Sequence, residues 1–302
     1  MTLNPDQPSA PNRRSVLCLP ASNERAIAKL ALLDMDAIIL DLEDSVADDM
    51  KQAGRDNIRA FFRQKRPDGP ELIIRVNEVA SHHHAADLAL VLECEPDAVL
   101  LPKVRSHDDI LDLASMLAEN EAPDSLRVWA MMETPLAILN AGPIAEMGRT
   151  RGGRLDALVV GLNDLRKDTG VRPDPARTFL MPWLMQVVLA ARAFGLSVID
   201  SVSNDYRDLA GFATECNQGR AMGFDGKMLI HPAQIEPANR AFAPSPEDIA
   251  EAEAIIGAFA APGMDSRNAI SVNGQMVERL HYHQARALIA RADRIKARTN
   301  TR

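Results

Sequence analysis

The chain has 302 residues, 46% of them hydrophobic and 25% charged, with a formal net charge of -8. That length suits one large core plus an appendage, and the composition is that of a soluble globular protein. The acidic balance excludes a broad nucleic-acid surface, and no apolar stretch has the length of a membrane span.

From Met1 to Asn12 the chain carries three prolines and little apolar content. It lacks the apolar core of a signal peptide, so residues 1–12 are expected to be a flexible arm. Eight strand-like runs follow: Ser15–Pro20, Ala37–Leu42, Leu72–Val76, Ala98–Leu101, Val128–Met132, Ala157–Gly161, Leu196–Ser201 and Lys227–Ile230. Short continuous apolar runs bounded by turn residues indicate strands buried on both faces, as in parallel sheets. Helix punctuation separates them. Ser106 with Asp109 has the form of a capping box, Thr134-Pro135 offers an N-cap followed by proline at N1, and Gly195 closes a long periodic segment. Eight β-then-α units predict an α/β fold, a TIM (β/α)₈ barrel over residues 13–243. A doubly wound open sheet is the alternative, but it would carry a glycine-rich turn after the first strand, where this chain has Pro20-Ala21-Ser22-Asn23.

The alternation then stops. Ser245-Pro246-Glu247-Asp248 starts a helix that runs through Ala260, and Asn273-Gly274 between two short apolar runs signals a hairpin. A last helix is expected from Leu280 to Ala297. Residues 244–302 therefore form a small helix-hairpin-helix appendage, expected to act as a lid.

Ligands of such barrels collect where the strands end. Those ends supply Asp41, Glu43, Asp44, Arg75, Asn77, Lys103, Glu133, Asp164 and His231. Several carboxylates at one mouth repel one another unless a cation intervenes, and an arginine among them holds an anionic ligand through a fork of donors. The pattern suggests a metal-assisted enzyme acting on a small carboxylate; a ring of structural ion pairs at the rim is the alternative. An acid at Glu133 or Asp164 also suits the start of the following helix.

In order, Arg14-Ser15-Val16-Leu17, Asp41-Leu42-Glu43-Asp44-Ser45-Val46, Arg75-Val76-Asn77, Leu101-Pro102-Lys103, Glu133-Thr134-Pro135, Gly161-Leu162-Asn163-Asp164-Leu165 and Gly223-Phe224-Asp225-Gly226-Lys227 through Ile230-His231-Pro232 resemble the citrate lyase β-subunit-like branch of the HpcH/HpaI aldolase superfamily. The resemblance implies a Mg²⁺-dependent lyase (Mn²⁺ as the alternative ion) that cleaves or forms a C–C bond in citryl-, malyl- or citramalyl-type thioesters. It also implies a homotrimer or hexamer and an acyl-CoA or acyl-carrier-protein substrate. Carried over by position, Glu133 and Asp164 are the metal ligands and Arg75 grips a carboxylate or polarises the reacting carbonyl. Asp44 orders metal-bound water, with Glu43 as its alternative. Apart from the resemblance, Arg14 is a candidate substrate contact, and Lys103 either reaches substrate or makes a salt bridge at the rim.

Two positions depart from the family pattern. Pro20-Ala21-Ser22 replaces a usual Pro-Gly-Ser, and Met276-Val277-Glu278 replaces a usual Met-Ile/Val-Asp whose acid, by the resemblance, is a catalytic base placed over a neighbouring subunit's barrel. Other readings keep the same site: an aldolase acting on free 4-hydroxy-2-keto acids, a thioester hydrolase, or a non-catalytic subunit of a larger complex. His82-His83-His84 is expected to be an exposed loop, and His281 and His283 lie on different helix faces. Met131 and Met132 are expected to be core filler and His231 to fix a turn. Cys18, Cys94 and Cys216 show neither zinc spacing nor a disulfide framework, as expected in a reducing cytoplasm, with Cys18 inert in the first strand.

Overall fold

A computed structural model describes residues 11–64, 66–67, 69–261 and 267–300. The expected arm therefore lies outside the described residues except for Pro11 and Asn12. Two compact units are present, Arg13–Phe242 and a second that includes Ala243 onward.

In the first unit, eight strands close into one parallel barrel in sequence order. They are β1 (Ser15–Pro20), β2 (Ala37–Asp41), β3 (Glu71–Arg75), β4 (Ala98–Leu101), β5 (Arg127–Met132), β6 (Leu155–Val160), β7 (Ser197–Asp200) and β8 (Gly226–Leu229). Closure comes from β1 pairing with β8 through Ser15–Lys227, Val16–Met228 and Leu17–Leu229. This is the expected TIM-type (β/α)₈ fold. β6 starts at Leu155, two residues before the expected Ala157, because a register shift between Val128 and Trp129 lets β5 pair further back.

The apolar runs bury both faces, and side chains alternate between two layers. Val16, Ala37, Ile39, Ile73, Leu100, Trp129, Met131, Val159, Ile199 and Met228 fill the barrel interior. Their neighbours Leu17, Ile38, Leu40, Ile74, Leu101, Met132, Leu158 and Val198 face the surrounding helices. Each fully buried Leu or Ile contributes roughly 1.5–3 kcal/mol against exposure, so this two-sided burial fixes the register of every strand.

Interior phase also decides what reaches the open end. Two residues beyond Ile39 stands Asp41; beyond Ile73, Arg75; beyond Met131, Glu133; beyond Ile199, Ser201. The helix starts follow the expected punctuation: Ser106 and Asp109 make a reciprocal capping box, Thr134 caps Pro135–Leu139, and Gly195 ends Met181–Phe194 at φ 75°.

The second unit contains the helix Pro246–Phe259, capped by Ser245 and Asp248, then antiparallel β9 (Ala269–Val272) and β10 (Gln275–Glu278). Asn273 and Gly274 turn the hairpin at φ 51° and 80°, the left-handed pair that a two-residue loop requires. The last helix is Arg279–Asn300, longer than expected. Ala252, Ile255, Phe259, Val277 and Ala285 give the unit its own core.

Candidate active site

At the carboxyl ends of the strands lies a cavity of about 490 Å³ whose lining includes Cys18, Arg75, Glu133, Asp164, Lys167 and Ser201. Arg75 is its buried cation. Nε and Nη2 each donate to Asp41 at 2.6 Å, and Nη1 lies 3.0 Å from Glu43. Asp41 is fully buried and also accepts from the Glu43 amide at 2.9 Å and from the Ser45 hydroxyl. Burial would raise the Asp41 carboxyl, but the charge and hydrogen bonds of Arg75 hold it below the usual range. The guanidinium is thus oriented by Asp41 on one side and by Glu43 at Nη1 on the other.

Acids crowd the same mouth. Glu133 is 1% exposed and Glu43 is 5% exposed. Burial pushes the Glu133 carboxyl up to about 7, opposed by Lys103 and reinforced by Glu43. It does the same to Glu43, to about 7, with Arg75 opposing and Asp44 reinforcing. In both acids the cost of burial outweighs the opposing charge of Arg75 and Lys103. Gly161 makes room for Glu133: a Cβ there would fall 2.6 Å from the Glu133 Cβ and carboxylate. Asp164 sits in the first turn of Leu162–Thr169, where it also favours the helix start.

Lys103 stands among these acids. Its Nζ lies 2.9 Å from Asp164, 3.3 Å from Asp44, 3.6 Å from Glu43 and 3.7 Å from Glu133. Its amide donates to Glu133 at 2.8 Å from a backbone at φ 53°, a left-handed conformation rare outside glycine. Although burial lowers the ammonium's affinity for its proton, the surrounding carboxylates hold it charged.

Beneath the mouth, two polar networks set the loops. Lys51 Nζ donates to the Leu42 and Glu43 carbonyls and to Asn77, which fixes the turn carrying Glu43. Lys227, 0% exposed, donates to Asp200, Glu215 and the Ser201 carbonyl, while Arg177 donates to both Asp200 oxygens. The Ser201 hydroxyl then accepts from the Leu162 amide at 3.0 Å and anchors the helix that presents Asp164. Lys51 and Ser201 were missed from sequence. Interior phase flags Ser201, whereas nothing local marks Lys51.

The structure brings Arg75, Asp44, Glu43, Lys103, Glu133 and Asp164 together. It does not bring Arg14, and this corrects an expectation. Arg14 precedes β1 at the opposite end of the barrel, where its backbone amide, Nε and Nη2 all bond Asp36 at 2.8–2.9 Å. A residue before a barrel strand cannot reach the ends of the strands. Glu278 closes β10 in the second unit, exposed, its amide donating to His281 at 2.9 Å. His231 caps the turn after β8 and stacks on Tyr206 with ring centroids 4.6 Å apart. His82, His83 and Asp48 cluster within 4.8 Å, with His83 hydrogen-bonded to Asp48 at 2.8 Å and its ring tilted by 40° against that of His82 at a centroid distance of 3.9 Å. Met131 fills the barrel interior and Met132 the helix-facing layer. Burial pushes the Cys18 thiol up to about 12, so it stays protonated at neutral pH.

The mouth acids offer oxygen donors only, the donor chemistry that a hard divalent cation such as Mg²⁺ takes, and Glu133 and Asp164 are the pair that could hold one.

Residues 14–232 match the family model described as HpcH/HpaI aldolase/citrate lyase. A (3S)-malyl-CoA thioesterase of Cereibacter sphaeroides is 43% identical over 284 residues, covering 94% of this chain and 96% of the relative. The human mitochondrial citramalyl-CoA lyase is 33% identical, covering 94% and 86%. Among solved structures, the Mycobacterium tuberculosis CitE complex with magnesium, acetoacetate and coenzyme A superposes with a TM-score of 0.73 at 29% identity, covering 94% and 98%.

Proposed function

We propose, from the premise that this chain belongs to the HpcH/HpaI aldolase/citrate lyase family, that it is a Mg²⁺-dependent enzyme acting on a malyl-CoA-type β-hydroxyacyl thioester, with hydrolysis as its net reaction. The carrying observation is the set of buried, undercompensated carboxylates beside Arg75 at the open barrel end, in a chain 43% identical to a (3S)-malyl-CoA thioesterase.

Each residue then has a task. Glu133 and Asp164 hold the cation, with water completing its shell. Arg75 faces the substrate carboxylate or reacting oxygen from the cavity wall, and Asp41 keeps its guanidinium oriented. Asp44, the most exposed of the mouth acids, orders water. Mg²⁺, when bound, supplies Lewis-acid polarisation of the acyl oxygen.

Carbon–carbon cleavage of the same thioester is the second reading, favoured by the family and by the 33% identical citramalyl-CoA lyase. Glu278 separates the two. A base that removes a proton from the thioester's α-carbon must come within about 2.6–3.2 Å of it, and glutamate is one methylene longer than the usual aspartate. A displacement of about 1 Å costs on the order of 10²-fold. Hydrolysis needs no carbon base, so Glu278 is compatible with it.

The test is malyl-CoA with Mg²⁺, following free thiol and glyoxylate separately. Thiol release without glyoxylate identifies the hydrolase; glyoxylate without thiol identifies the lyase. Neither product leaves the free-acid aldolase or the non-catalytic subunit. If Glu278 is the base, Glu278→Gln removes glyoxylate formation and Glu278→Asp increases it; if it is not, both leave kcat unchanged.

The assembly follows the resemblance, a homotrimer or hexamer, which light scattering would identify. A cytoplasmic location is proposed with it, and no helix among the described residues is long and apolar enough to cross a membrane.

A further inference from the structure

The four carboxylates proposed for metal chemistry already surround a cation that belongs to the chain. Lys103 Nζ reaches Asp164 at 2.9 Å and has Asp44, Glu43 and Glu133 within 3.7 Å. Arg75 does not take this place, because it is held on Asp41 by two 2.6 Å bonds. Mg²⁺ needs its oxygens at about 2.0–2.1 Å, whereas an ammonium keeps them near 2.9 Å. A divalent ion at the same point would face a positive charge in contact with its own ligands.

We propose that Lys103 is a built-in competitor for the metal: its ammonium occupies the cation position of the metal-free protein, leaves when the ion binds, and so sets the metal affinity. This inference rests on the reading of Glu133 and Asp164 as metal ligands. Two features support it. The Lys103 side chain is 23% exposed, so its flexible stem has a route out of the acid ring toward solvent or substrate. Its backbone, in contrast, is fixed by the 2.8 Å bond from its amide to Glu133 and by its left-handed conformation at φ 53°. The exchange is then confined to the side chain, and the Glu133 contact through the amide survives it.

Affinity for a ligand that competes with an internal group is reduced by the fraction of molecules in which the site is open. If the ammonium holds the position in about nine molecules of ten, removing it strengthens binding about tenfold. The experiment measures Mn²⁺ binding to the full chain by the electron paramagnetic resonance of free Mn²⁺, and Mg²⁺ by calorimetry. The proteins are the wild type, Lys103→Met, Lys103→Arg and Glu133→Gln. The expected result is roughly tenfold tighter Mn²⁺ binding by Lys103→Met, near-wild-type binding by Lys103→Arg, and a lower metal-free melting temperature for Lys103→Met that Mn²⁺ restores. Should Lys103→Met fail to fold, Lys103→Gln makes the same comparison. Unchanged or weaker Mn²⁺ binding by the neutral variant, with binding still abolished in Glu133→Gln, overturns the inference and leaves the metal reading intact. Binding that Glu133→Gln leaves untouched, or no binding by any protein, overturns the metal reading and the inference with it.

Discussion

The two ends of the barrel use the same chemical unit to opposite effect. At the closed end, Arg14 is forked onto Asp36, and Arg13 bonds Glu71 and Asp156 while lying 4.7 Å from the Trp129 ring centroid. At the open end, Arg75 is forked onto Asp41 in the same way, but Glu43, Asp44, Glu133 and Asp164 add charge that Lys103 and the Arg75 Nη1 beside Glu43 offset only in part. One end is paired and sealed by an aromatic ring. The other keeps an excess of carboxylate around a cavity. A buried ion pair is therefore no sign of function by itself; function shows where the charges at one site do not balance.

The largest expected effect tests the sealed end. Arg14→Met leaves Asp36 buried without its partner and should cost about 3–5 kcal/mol of stability, read from urea unfolding. The kcat of the folded protein should stay within about twofold of wild type, because the substitution lies at the far end of the barrel from the cavity and removes no oxyanion-type contact. A large loss of kcat would return Arg14 to the list of substrate contacts and break the contrast.

At the open end, Glu133→Gln should behave in the reverse manner. Removing one preorganised electrostatic group typically costs about 10²–10³ in kcat. The metal-free protein should not lose stability, since the carboxylate being removed is buried with a raised pKa and an amide oxygen can still accept from the Lys103 N–H. A variant that is both active and unstable would mean that Glu133 belongs to the framework.

Arg75→Lys sharpens the point. A charge-assisted bond contributes about 1.5–3 kcal/mol, so kcat/KM should fall at least about tenfold because an ammonium cannot reproduce the fork. Near-normal turnover would show that the fork on Asp41 is structural, as its counterpart on Asp36 is.

The smallest effect concerns the Asp200 network beneath the site. Burial would raise the Asp200 carboxyl, but Lys227 and Arg177 hold it below the usual range. A depressed folded value means that the unfolded chain binds more protons, so this stabilisation is full above the unfolded pKa and is lost as pH falls through the folded one. Asp200→Asn should therefore lower stability by on the order of 1 kcal/mol at neutral pH, with the difference shrinking below roughly pH 3.9. A difference that grows with acidification would contradict the assigned direction.

Much of this was already legible in the residues. Apolar runs such as Ala37-Ile38-Ile39-Leu40 can be satisfied only by two-sided burial, and eight of them alternating with capped helices leave little besides the barrel. Ser106, Thr134, Gly195, Ser245 and Asn273-Gly274 marked their turns because capping and left-handed backbone are local requirements. Strand-end position likewise identified Arg75, Glu133 and Asp164 as neighbours across a mouth. Three-dimensional packing decided the rest. Arg14 and Arg75 both flank strands and look alike in sequence, yet strand polarity sends them to opposite ends. Lys103 read equally as a substrate contact or a rim salt bridge, because four carboxylates from separate segments meet its ammonium only when the barrel closes. Lys51, Ser201 and Gly161 matter through hydrogen bonds and clearances to residues distant in the chain, and such relations have no local signature.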